Sequence, residues 1–135
     1  MALIAFVPPC ATRPFTLAAS RRTWAGRVLT GAGLALLPWM GYLAVALPPA
    51  GAAAWVALDA VEAACLLAAG TRLVSGRPGH RAAAAVAAAL LAADACADVA
   101  TAGPGSELVV ALVMAVGAEL PLAITCAALA ARSPR

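Results

Sequence analysis

The sequence predicts an all-α fold: a four-helix transmembrane bundle whose neighbouring helices run antiparallel, up and down. Three observations predict it. Of 135 residues, 64% are hydrophobic and only 11% are charged, against roughly 25% charged in an ordinary soluble domain. Mean hydropathy is +0.96. Four stretches meet the requirement of about 20 mostly apolar residues for crossing a bilayer as a helix, and Gly and Pro punctuate the joints between them. No run alternates long enough to compete as a strand. The same composition excludes a soluble globule of this size, whose core would lack polar cover, and a disordered chain. With 4% aromatic residues and no basic run, nucleic-acid recognition is excluded as well.

Each element is justified by what bounds it. The first span covers about 27–47 and is ended by Pro48-Pro49; the second covers about 51–70, ahead of Thr71-Arg72. The third covers about 81–102, with Gly103-Pro104-Gly105 as its stop, and the fourth about 107–131. Residues 1–20 read as a loose or interfacial N-terminal tail, 21–131 as one membrane domain, and 132–135 as a cytoplasmic tail. Ser20-Arg21-Arg22-Thr23-Trp24, an apolar run and Pro49-Ala50-Gly51-Ala52 have the outline of a twin-arginine export signal. Three further spans argue for an ordinary first span instead.

Charge sets the expected orientation. Arg13, Arg21, Arg22 and Arg27 precede the first span, Arg72, Arg77 and Arg81 lie between the second and third, and Arg132 and Arg135 follow the fourth. The two remaining joints carry no basic residue. The positive-inside rule therefore places both termini in the cytoplasm and the chain in the inner (plasma) membrane. That distribution accounts for the net charge of +3 without a further partner.

Five of the six acidic residues fall inside the spans: Asp59 and Glu62, Asp94 and Asp98, and Glu119. A carboxylate at the bilayer centre costs about 2.5–3.5 kcal/mol, whereas a Leu or Val contributes only about 0.3–0.6 kcal/mol. The third span, with two Asp among many Ala, needs shelter from other helices. Asp59 and Glu62 are three apart and Asp94 and Asp98 four apart, so each pair shares a helix face. At 1.5 Å per residue, Glu62 and Glu119 come near mid-depth, Asp59 and Asp94 within a turn of it, and Asp98 further out. No Arg, Lys or His lies at that depth; His80 is in a loop. Clustered carboxyls in a dry site cannot all ionise, so they are expected to share protons or hold a cation. Intramembrane acids mark ion and proton pathways by default; the competing reading is protonated carboxyls that hydrogen-bond helices together.

Other residues refine the picture. Ala-rich second and third spans suit close helix packing. The Leu-rich first span carries no acid and is expected to face lipid or a partner. Pro38 and Pro121 lie inside spans and are possible hinges, each freeing a backbone carbonyl. Trp24 and Trp55 read as interfacial anchors. Cys10, Cys65, Cys96 and Cys126 form no C-x-x-C pair and read as small apolar residues, Cys65 continuing the Asp59–Glu62 face.

The leading expectation is a proton- or cation-coupled transport protein, with Asp59, Glu62, Asp94 and Glu119 as the central site and Asp98 lining access from outside. The alternative is a non-catalytic accessory or assembly subunit whose acids pair with a basic partner helix. Beyond the lipid bilayer, a homo-oligomer or a membrane partner subunit is expected, because four thin helices shelter five acids poorly. An enzyme is the less favoured reading. Without His in any span a Glu-x-x-His di-iron site has no ligands, and isoprenoid cyclisation lacks an aromatic lining. A hard cation held by oxygens is chemically possible, but the residues name no metal and no cofactor.

Leu37-Pro38-Trp39-Met40-Gly41-Tyr42, Trp55-Val56-Ala57-Leu58-Asp59, Asp94-Ala95-Cys96-Ala97-Asp98-Val99 and Glu119-Leu120-Pro121-Leu122 resemble a group of small four-span integral membrane proteins of actinobacteria, over about 27–131. The resemblance implies the four-span topology and no catalytic role. Cys96 and Ala97 stand where the group's third-span motif carries two aromatics. Small multidrug exporters also have four short spans, but their essential Glu lies in the first, where this chain has no acid.

Overall fold

The computed structural model describes residues 14–132; the first 13 residues of the expected N-terminal tail, Cys10 among them, and residues 133–135 lie outside the described residues. The chain is all-α. Helix α1 covers Pro14–Ala46 and α2 Pro49–Val74, joined by Leu47-Pro48; α3 covers His80–Thr101. The last span is built of three pieces: α4 (Ser106–Met114), a π-helical turn (Ala115–Glu119) and α5 (Leu120–Ala131). Stretches within these, Ser20–Ala46, Gly51–Val74, His80–Thr101 and Ser106–Ala131, are each long and apolar enough to cross a membrane. This is a multi-pass membrane protein. Helix α1 starts upstream of the expected first span and runs through Pro38 without a break.

Turn chemistry explains the joints. Pro49 occupies the first helical position of α2, where its missing N–H is an orphan in any case. Gly79 (φ 85°) and Gly105 (φ 94°) precede α3 and α4 in a backbone conformation that suits glycine.

Helix α1 packs chiefly on α2, and glycine sets how closely. A Cβ on Gly70 would come within 2.5 Å of Thr30 Oγ1 and 2.6 Å of the Gly26 carbonyl. One on Gly33 would meet Leu67 Cγ at 2.9 Å and the Ala63 carbonyl at 3.1 Å. Without a hydrophobic driving force in lipid, such backbone-to-backbone approach is what holds two helices together. Gly70→Leu is therefore expected to lose about 1–3 kcal/mol by overpacking, read as thermal unfolding in detergent. Gly41→Leu, where nothing lies within 4 Å of an added Cβ, should stay within about 0.5 kcal/mol. Equal losses at both positions would show that the α1–α2 contact does not need glycine.

The other pairs across the bundle are α2 with α3, and α3 with α4, α5 and the π turn. Arg81, near the start of α3, donates from Nε and Nη2 to the Ala130 carbonyl at 3.0 and 2.8 Å, satisfying an orphan carbonyl at the end of α5. Leu29, Leu66, Leu73, Leu91, Cys126 and Leu129 interlock with small Ala residues as one apolar core. On α2 this core spans residues 66–73, on α3 84–91 and on α5 123–129. It fills only one part of the bundle's length, and the other part is where the acids lie.

Candidate functional site

Helical spacing brings the acids onto inward faces. Asp59 and Glu62 on α2, Asp94 on α3 and Glu119 on the π turn are 4%, 1%, 8% and 7% exposed, each more than nine-tenths buried. Asp98, one turn beyond Asp94, is half-buried. One carboxylate oxygen from each of Asp59, Glu62 and Asp94 lies within 4.8 Å of the other two. The same holds for Asp94, Asp98 and Glu119. Asp94 belongs to both groups, so the five acids from three spans form one connected cluster. All five that the sequence singled out come together.

Buried polar atoms are nearly always hydrogen-bonded, yet Asp59 Oδ2, Glu62 Oε1, Asp94 Oδ1 and Glu119 Oε2 have no partner among the described residues. Each such atom costs about 1–3 kcal/mol, more for a charged group. Four such atoms in one place make a large standing penalty.

The acids border a cavity of about 730 Å³. Asp59, Glu62, Asp94, Asp98 and Glu119 all line it, together with Glu107, and among the described residues its lining contains no Arg, Lys or His. The rest of the wall is mostly apolar: Leu36, Trp39 and Leu43 from α1, Trp55 and Leu66 from α2, Leu91 from α3, Val110 and Met114 from α4. Leu66 and Leu91 belong also to the apolar core, so cavity and core adjoin along the helices, with Glu62 one turn from that boundary. Comparison of the chain with protein-family models, with curated proteins and with solved structures gives no match. Function has to be argued from this geometry.

The π turn explains how Glu119 reaches the cluster. Pro121 has no N–H to offer the carbonyl four residues earlier and its ring crowds that position. Just ahead of it the helix widens, and the Leu120 N–H donates to the Ala115 carbonyl, five residues back. The buried positions Ala111, Ala115, Glu119 and Ala123 are four apart. In a straight α-helix each step of four drifts about 40°, which would carry Glu119 away from Ala111's face. A wider turn absorbs that drift. Such π turns recur at functional sites.

Three lining features were not read from the sequence. The first span faces more than lipid: Ala32, Leu36, Trp39 and Leu43 follow helical spacing and put one α1 face on the cavity, a pattern that periodicity contains. Trp39 is held there by stacking on Tyr42, with ring centroids 5.5 Å apart. Trp55, expected as an interfacial anchor, is half-buried and also lines the cavity. Glu107, expected only as the start of the fourth span, lines it too and accepts a hydrogen bond on Oε2 from the Gly103 N–H at 3.0 Å. Cys65 instead packs against the apolar core. Cys65, Cys96 and Cys126 are free thiols.

Proposed function

We propose that this chain couples the movement of a cation across the plasma membrane to protonation of its intramembrane carboxyls. The observation that carries the reading is the set of four buried, unpartnered carboxylate oxygens on a cavity whose lining holds no basic residue. Coulomb repulsion and desolvation prevent full ionisation of such a cluster. A cation entering it displaces protons, and protons arriving expel the cation. Asp59, Glu62, Asp94 and Glu119 form the exchange site, and Asp98 and Glu107 attract cations to its entrance.

Sidedness follows from charge. Arg27 and Thr71, the residue before Arg72, border a separate groove between α1 and α2, and Arg81 bonds Ala130, two residues before Arg132. These arginines accompany the part of each helix that contributes to the apolar core, which on the positive-inside rule faces the cytoplasm with both termini. The cavity then opens outward, and the core of Leu29, Leu66, Leu91 and Leu129 seals it from inside. Pro38 and the π turn before Pro121 are the places where a helix can bend to reverse that access.

A second reading is favoured by one observation. α1 and α4 both line the cavity, α1 packing on α2 and α4 on α3 but the two not closely on each other among the described residues, which leaves a lateral opening that a basic helix of a partner subunit, or a second copy of the chain, can fill.

Infrared titration of the purified protein in lipid separates the two. Following the protonated-carboxyl bands with rising pH, with and without Na⁺, K⁺, Mg²⁺ and organic cations, should show protons displaced by a cation, saturably and at neutral pH. Bands that ignore every cation and persist into alkali would overturn the transport reading.

A further inference from the structure

Resting on the exchange reading above, we infer that the cavity takes a hydrophobic organic cation: one positive centre on an apolar, aromatic-bearing body the size of a drug-like molecule. Volume argues first. A bare metal ion among the oxygens of Asp59, Glu62 and Asp94 fills a small fraction of about 730 Å³, whereas small-molecule sites run to roughly 300–1,000 Å³. The wall argues next. Away from the acids it is built largely of Leu, Ala and Trp side chains, with Thr101 and Ser106 the polar exceptions, and so offers a hydrophilic solute few partners.

Charge then fixes the sign. Four acidic side chains, each more than nine-tenths buried and each with one oxygen that has no partner among the described residues, line the cavity. No basic group in the lining is available to an anion. The aromatic rings complete the argument. Trp39 and Trp55 line the same space as the acids, and Trp39 is braced by Tyr42. An indole face attracts a desolvated cation and packs equally well on an apolar body. The lateral opening between α1 and α4 gives such a molecule a route from the lipid, where its body already partitions.

The exchange is balanced in charge. The cation enters a partly protonated cluster and one proton leaves for each positive charge bound; no covalent bond is made or broken.

The test is binding of tetraphenylphosphonium to the full chain in lipid nanodiscs, read by equilibrium dialysis and tryptophan fluorescence. Neutral triphenylphosphine oxide is the comparison. Saturable binding of the cation alone, with a proton released, is the expected result. Glu62→Gln should weaken it by more than about tenfold. Trp39→Leu should weaken it by roughly three- to tenfold; because Trp39 is partly exposed, this variant guards against a folding defect in the first. Arg77→Gln, in the α2–α3 loop, should bind as the parent does. Equal uptake of cation and neutral analogue, or uptake no greater than in empty nanodiscs, overturns the inference. So does a stoichiometric membrane subunit with intramembrane Arg or Lys that occupies the cavity. If inorganic cations displace protons but tetraphenylphosphonium does not bind, the exchange reading stands and this inference alone fails.

Discussion

Glu62→Gln is expected to abolish cation-driven proton release while leaving the protein folded in the membrane. Glu62 is the most buried of the acids, at 1% exposed, and its Oε1 is unpartnered. Glutamine keeps the shape and removes only ionisation, so helix packing around Ala63 and Leu66 is untouched and thermal stability should change by no more than about 1 kcal/mol. In proteoliposomes, release on adding a cation should fall to the leak of empty vesicles. Asp94→Asn should do the same, because Asp94 is the acid common to both oxygen groups. Asp98→Asn should slow the exchange without ending it, since Asp98 is half-buried at the cavity's edge. A Glu62→Gln protein that still releases protons would remove Glu62 from the site. One that vanishes from the membrane would make the cluster a structural device.

Such a graded pattern separates a site from scaffolding because the two make opposite demands on the same atoms. Hydrogen-bonded structural carboxyls lose stability when changed and leave no orphan oxygen beforehand. Here the oxygens are already orphaned, and helix association has another source, the glycine contacts of α1 with α2 and the apolar core.

The four spans and the convergence of the acids were legible because both depend on local arithmetic. Apolar runs bounded by Pro48-Pro49, Thr71-Arg72 and Gly103-Pro104-Gly105 give the helices, and three- and four-residue spacings put Asp59 with Glu62 and Asp94 with Asp98. The cavity was not legible. It arises where α1, held to α2 by Gly26, Gly33 and Gly70, is left unpacked against α4, a long-range outcome that no single span encodes. Leu36, Trp39 and Leu43 share one face of α1 by their spacing, but nothing local says what that face meets. The π turn escaped for a different reason: Pro121 signals a disturbed helix, but whether the helix bends or widens depends on the inward demands of Ala111, Ala115 and Glu119.

Ala35→Lys is expected to stabilise the protein and to shut the exchange down. Gly26 on α1 meets Gly70 and Val74 on α2, and Gly33 meets Ala63 and Leu67, so each step along α1 matches a step back along α2. Two residues past Gly33, Ala35 stands level with Glu62, and it borders the same cavity. Alanine there fills little space, and a lysine stem lies along Leu36 and Trp39 with its ammonium free to reach the acids. A tethered cation then does permanently what a bound one does in passing. Hydrogen bonds to charged groups contribute about 1.5–3 kcal/mol each, so thermal stability in detergent should rise by an amount of that order. Proton displacement and tetraphenylphosphonium binding should both be lost. The gain should disappear in the Glu62→Gln background, as a double-mutant cycle requires of a direct pair, while Ala35→Met, similar in bulk but neutral, should give no gain in either. A lysine that destabilises both backgrounds equally would mean that the carboxyls hold their protons against any cation, and that the cavity is not an ion site.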